Sequence, residues 1–545
     1  MEYLKNLIVL LLVICCTAHS LSAQTGLNPG DGVDVSKQFN ARLAEAERYR
    51  LNPPILQPDT ARRKVNYAIS NKSLNVQYPA PKVTPQVLKN EPKDTTYSGF
   101  LRIGAGLPKA LLLEGGFDAV NNDNLDAGFD FRHYSINNSG NVENQKSADN
   151  DAGVYATFHT DKGFSIGGKL HYSRDAVHFY GYNNQSDTLS PPSFSESDVK
   201  QRFSVVSGQA RVFNNQRTVG NIDYSTSLDF YTMEDLYAAR ESGLNFVVEG
   251  KKWMDGTNPL GIRLQADLTA YRDTGNQSLN NFILTPSYAF HGKNFRALLG
   301  ANIAAHNEAF HFYPVLEGSF NVVDNLITAF AGVEGGLQKN SFRSLTAYNP
   351  FLNSRQPLRN SFFTHYYGGV KGDYLGINYR AQIGYKEVDN LALFLTSQDS
   401  IPRFNVLYDS AGIVTLSVEL RTQIIQGLEI NARFSQHIFN LQNQEKPWHL
   451  PSLSLNAGVA YRGLLDGLTL RGELFFQNAL PVRAADGTAD NLNTLLDLSA
   501  AADYRLSSNL GAFVQANNLL NNRYQRWQYY PMVGLNIVAG LRAQF

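Results

Sequence analysis

The chain closes on VGLNIVAGLRAQF (Val533–Phe545). Val533, Leu535, Ile537, Ala539, Leu541, Ala543 and Phe545 alternate with Asn536, Gly540, Arg542 and Gln544. Successive side chains of a strand point to opposite faces, so this stretch reads as a strand with one apolar face and one polar face. The same period runs backward through the chain. Leu468, Leu470, Leu474 and Phe476 alternate with Thr469, Arg471, Glu473, Phe475 and Gln477. Leu428, Ile430, Ala432 and Phe434 stand against Glu429, Asn431, Arg433 and Ser435. Ile262, Leu264, Ala266 and Leu268 stand against Arg263, Gln265, Asp267 and Thr269. The pattern holds from Tyr97 to Phe545 with no linker or helical interruption.

A soluble sheet also alternates, but about 450 residues of it would need several sandwiches with boundaries between them. A closed membrane barrel needs none: its strands are apolar towards lipid, polar towards the lumen, and joined by short turns at one end and longer loops at the other. Short joints rich in Gly, Asn and Asp, which tolerate the positive φ of tight hairpins, recur at Asn121–Asn124, Asp161–Gly163, Asp255–Asn258, Gly292–Asn294, Asp324–Asn325, Gly372–Asp373, Gln426–Gly427, Asp466–Gly467 and Ser507–Asn509. Longer joints at 136–149, 175–199, 338–360, 440–451, 478–491 and 521–530 alternate with them. The expected fold is all-β: a transmembrane antiparallel barrel of about 22 strands with both ends on the short-turn side, in the cell outer membrane. Tyr461, Phe475, Phe476, Tyr529 and Tyr530 are expected in its interfacial aromatic girdles.

Lys+Arg equals Asp+Glu at 48 each, which leaves no basic excess for a nucleic-acid partner. The only cysteines, Cys15 and Cys16, lie in a segment with Lys5, an apolar run Leu7–Cys16 and small residues after it. This is the layout of a signal peptide; lipidation of a cysteine there is the alternative reading. The expected division is residues 1–23 signal peptide, 24–96 proline-rich periplasmic tail and 97–545 barrel. Prolines at 53, 54, 58, 79, 81 and 85 oppose regular structure in the tail. A short helix over Ser36–Arg48 and a strand over Val65–Ile69 are expected within it.

The closing stretch, with Asn517–Asn518–Leu519–Leu520–Asn521, Tyr524, Tyr530–Pro531 and a last strand ending in Phe545, resembles the end of a TonB-dependent receptor barrel. The start Tyr97–Gly104 after a proline-rich tail resembles a group of Bacteroidetes outer-membrane proteins labelled as such receptors. The resemblance implies an outer-membrane barrel; separately, the last strand with Leu541, Ala543 and Phe545 resembles the C-terminal signal read by the barrel assembly machinery. The 73 residues of 24–96 are short for that family's α/β plug domain, and no TonB box follows the signal. Engagement of TonB is therefore left open.

No nucleophile elbow, phosphate loop or His-Glu-x-x-His motif occurs, so no enzyme is expected, and no cofactor or metal. His306 and His311, with Glu308 between, are the nearest thing to a metal cluster; His437 near Ser435 is the nearest to a catalytic pair. Arg263, Asp267, Glu429, Arg433, Arg471 and Glu473 are the candidate lumen-facing charges. A barrel of this size leaks unless something fills it. Three functions fit: solute passage through a receptor-like barrel, a scaffold whose residues 24–96 hold a periplasmic or outer-membrane protein, and a porin. Outer-membrane lipids are partners in all three.

Overall fold

The computed structural model describes residues 97–545 except 186–191, 308, 325 and 398. The expected signal, tail, helix Ser36–Arg48 and strand Val65–Ile69 lie outside the described residues. Alternation and turn chemistry yield 22 barrel strands. These are β1 (Gly99–Leu107), β2 (Ala110–Asn121), β3 (Leu125–Asn137), β4 (Lys146–His159), β5 (Phe164–His178), β6 (Lys200–Asn214) and β7 (Ile222–Glu234). Next come β8 (Arg240–Met254), β9 (Asn258–Arg272), β10 (Asn276–His291), β11 (Phe295–His306), β12 (Ala309–Val323), β13 (Ile327–Lys339), β14 (Asn360–Tyr374) and β15 (Ile377–Thr396). The rest are β16 (Phe404–Ile425), β17 (Leu428–Leu441), β18 (Leu453–Tyr461), β19 (Leu468–Gln477), β20 (Leu495–Arg505), β21 (Leu510–Asn517) and β22 (Asn536–Gln544).

Each strand pairs antiparallel with the next, and β1 pairs with β22 to close the ring. The seam runs from Phe100↔Gln544 to Leu107↔Ile537. Gly99 N donates to Phe545 O (2.9 Å) and Phe545 N to Gly99 O (3.0 Å), so the ends meet on one rim. A side chain at Gly540 would collide with the Ile103 carbonyl, so this position admits only glycine without rearrangement. The apolar positions of the alternation point outward: Ile262, Leu264, Phe282, Leu299, Ile383 and Leu541 are among the exposed large hydrophobics. A closed antiparallel barrel with such an apolar belt is an outer-membrane protein.

Two details of the turns differ from the sequence reading. Gly372 and Asp373 lie inside β14, and the turn sits at Leu375–Gly376 with φ of 52° and 83°. Positive φ at both central positions matches the twist of a two-residue hairpin. The long-loop rim also carries tight joints, at Pro108–Lys109, Asp235–Ala239, Asp273–Gly275 and around Asn307, so long and short joints do not alternate strictly.

The wall is also not uniform. β12 and β13 pair only from Val315↔Glu334 towards the short-turn rim. Above that point Pro314 has no N–H to donate and Gly335–Gly336 permits a bend. The upper part of β13 and β14 passes behind β12. Asn302 of β11 donates to Gly335 O (2.7 Å), Phe362 of β14 stacks on His311 of β12 (4.7 Å), and Asn360 donates to Asn281 of β10 (2.8 Å).

Candidate functional site

Strands at ~4.8 Å spacing, tilted by ~40°, make a 22-strand ring roughly 40–45 Å across. At the long-loop rim that opening is filled by the chain's own connections. The β5–β6 joint contributes Phe179, Tyr180 and Tyr182; the β13–β14 joint contributes Phe342, Leu345 and Leu352; the β21–β22 joint contributes Trp527 and Tyr530. All are buried in one cluster with Phe203, Tyr271, Phe394 and Phe404 of the wall. Phe351 stacks on Tyr530 at 3.8 Å, and Tyr180 meets Tyr530 edge-on at 5.1 Å. These joints leave the wall at well-separated strands, so they meet only by folding inward across the mouth. Each large side chain buried this way contributes about 1.5–3 kcal/mol, and each aromatic pair about 0.5–1.5 more.

Polar anchors fix this lid to the wall. Glu241 of β8 is fully buried and accepts from Phe342 N (2.6 Å), Arg343 N (3.1 Å) and Tyr231 Oη (2.7 Å). It thereby caps the helix Phe342–Tyr348. Asp235 accepts from Gln201 Nε2 (3.1 Å), Ala239 N (2.8 Å) and the Ser354 hydroxyl. Tyr180 Oη and Gln145 Nε2 both donate to Pro531 O, at 3.0 and 2.7 Å. Burial pushes the Tyr180 hydroxyl up to about 12. His449, fully buried between Phe404 and Trp527, is pushed down to about 3 by burial. Its Nδ1 lies 2.8 Å from Phe394 O, which makes it the protonated nitrogen of a neutral ring.

Below the lid the ring encloses polar cavities. One, of 1140 Å³, lies along β11–β18 towards the short-turn rim and includes Arg433 in its wall. Arg433 pairs with Glu419 (3.0 Å), and Glu429 with Arg462 (3.1 Å). Arg471 pairs with Asp503 (2.5 Å). Asp267 pairs with Lys339 (2.5 Å), four strands away. Arg263 Nη2 donates to Gln265 Oε1 (3.3 Å). Glu473 lines a 470 Å³ cavity with Asp497 and Tyr524. The six charges are thus spread over several ion pairs and cavities and do not converge on one site. Leu541 and Ala543 lie in the closing strand, paired with Ile103 and Leu101, and the Phe545 ring stacks on Phe117 (6.0 Å).

Among the described residues no group of three or more potential ligands could hold a metal ion. His306 is engaged by Asn360 (3.0 Å) and His437 by Thr415 (2.9 Å). Tyr530 is not a girdle residue: it is 1 % exposed, because its joint folds into the mouth. Phe475 likewise packs against Leu480, Leu495 and Tyr524. The lid is the part that period-two reasoning missed. Its signal was the density of aromatics in the long joints: Phe179, Tyr180, Tyr182, Phe342, Phe351, Trp527 and Tyr530.

No protein-family model and no curated protein matches the chain. Solved structures do. The FrpB iron transporter of Neisseria meningitidis superposes with a TM-score of 0.65 at 9 % identity, covering 83 % of this chain and 82 % of that one. The ferric-catecholate import receptor Fiu of E. coli K12 gives 0.64 at 8 %, covering 83 % and 82 %. The pyoverdine outer membrane receptor FpvA of Pseudomonas aeruginosa PAO1, bound to pyoverdine, gives 0.60 at 12 %, covering 84 % and 79 %. The resemblance of the closing stretch to TonB-dependent receptor barrels therefore holds at the level of the fold.

Proposed function

We propose that the protein is a gated outer-membrane barrel for passage of a solute, of TonB-dependent-receptor type, with its long-loop rim outside and its short-turn rim in the periplasm. The observation that carries this reading is the lid: a hydrophobic core built from the chain's own joints closes one mouth above polar cavities. An open porin has no use for such a closure. The similar barrels named above are an iron transporter, a ferric-catecholate import receptor and a pyoverdine receptor, which supports a transport role without naming the solute. In this reading Arg263, Asp267, Glu429, Arg433, Arg471 and Glu473 line the lumen, and Leu541, Ala543 and Phe545 serve assembly. Residues 1–23, 24–96 and 97–545 are signal, periplasmic tail and barrel. The chemistry is binding and passage, with no enzymatic step.

The test is conductance in planar lipid bilayers. The full chain should insert with little current. Deleting 341–358, which removes Phe342, Leu345 and Leu352, should give large steady steps. Equal conductance before and after the deletion would sink the gate.

A further inference from the structure

The wall of the 1140 Å³ cavity carries more positive charge than it neutralises. Its cations are Arg296, Lys371, Arg380, Arg421 and Arg433; its carboxylates are Asp373 and Glu419. Each carboxylate has partners of its own. Glu419 is held by Arg433 at 3.0 Å, and Asp373 accepts from Gly376 N (3.2 Å) and Asn378 Nδ2 (2.8 Å) in its own turn. Among the described residues no carboxylate lies within ion-pair distance of Arg296, Lys371, Arg380 or Arg421.

Lys371 and Arg380 are direct partners across β14 and β15, and Arg380 in turn stands opposite Glu419 of β16, whose ion pair is with Arg433. Like charges directly opposite on one sheet face repel. Both lean over the Phe330 ring, at 5.4 and 4.4 Å, which offsets the repulsion only in part. Arg421 follows on β16, opposite Asn378. Cations thus stand on three adjacent strands, with Arg296 of β11 lining the same cavity. Guanidinium forks match carboxylate and phosphate oxygens in pairs, so one anion with several oxyanion groups would satisfy this wall.

We infer that this cavity is a binding site for a small polyanion, a solute bearing clustered phosphate or carboxylate groups, held by Lys371, Arg380 and Arg421. The inference rests on the lumenal reading above. It is tested by binding alone, so a barrel that binds without conducting would sink transport and leave the site standing.

The experiment is calorimetric titration of the purified full chain in detergent with sodium tripolyphosphate and with citrate, at low and high salt. At least one should bind, more weakly at high salt. The double variant Arg380→Gln/Arg421→Gln should lose about tenfold or more in affinity, and Arg421→Lys should lose less. A charge-matched control, Lys162→Gln/Arg505→Gln, lies outside this wall and should bind as the parent does; heat-modifiable migration checks that every variant is folded. Tighter tripolyphosphate assigns phosphate chemistry, and tighter citrate assigns carboxylate chemistry. Binding of neither probe at low salt, or an equal loss in the control, overturns the site.

Discussion

Two tyrosines of the last long joint stand side by side in sequence, and only one of them is in the lid core. Tyr530 is buried against Phe351 and Tyr180, while Tyr529 only packs at the edge of the cluster. Residue type cannot separate a girdle aromatic from a lid aromatic, because both sit just beyond a strand end; the partners that decide it are more than a hundred residues away. His449 makes the same point and gives a pH prediction. Its ordinary value is about 6.5 and its buried value about 3. Below pH 6.5 an undocked loop takes up a proton that the docked one refuses. The stability this burial allows is therefore present above pH 6.5 and is lost as pH falls towards 3. Between pH 7 and pH 5 the loss is about 2 kcal/mol. Arg526, whose Nη1 donates to the His449 carbonyl at 2.9 Å, disfavours the imidazolium further. Trp527 lies 5.4 Å from the imidazole and reports on it. Its emission should shift towards that of exposed indole between pH 7 and 5, and His449→Gln should remove the dependence. A flat profile for the parent protein would show the loop to be locked irrespective of this residue.

Strands were the legible elements. Period two together with turn residues disclosed an antiparallel barrel of 22 strands, because both signals are local. The displaced turn at Leu375–Gly376 shows the limit: Gly372 and Asp373 have turn chemistry, yet Gly372 pairs with Tyr379 and Asp373 with Asn378 inside the ladder. The parting of β12 from β13 is less legible still. Pro314 and Gly335–Gly336 permit it, but the upper part of β13 and β14 goes behind β12 because Asp267, Asn281 and Asn302 receive it there. The face assignment is testable on one strand. Leu470→Arg should lower barrel stability by about 2–4 kcal/mol if it lies near the midplane, whereas Thr469→Arg, on the cavity side, should cost far less. Urea unfolding of the two variants in lipid vesicles reads the difference, and equal losses would invert the faces. The same substitution at Thr269 is no such control, because Thr269 is 2 % exposed and takes a hydrogen bond from Lys339 at 2.9 Å.

At the scale of the molecule, the ring and the lid are held by different physics. The ring is a cooperative ladder whose backbone groups satisfy one another in a medium without water. The lid is a small hydrophobic core with a few buried carboxylates, held by burial and not by the ladder. That separation is what a gate requires, and it is why the candidate site was only half legible: charges alternate visibly along a strand, but their pairing depends on closure. Closure has one more consequence. Since Gly99 and Phe545 bond to each other on the short-turn rim, the wall itself has no privileged starting point. A circular permutant of 97–545, with old ends joined by a brief linker and new ones cut at Leu375–Gly376, would keep every ladder contact while moving Phe545 into the interior of the chain. Refolded from urea into detergent micelles it should form the same heat-modifiable ring, whereas in cells it should accumulate unassembled. Normal assembly in cells would mean that the machinery reads the ring and not its last residue.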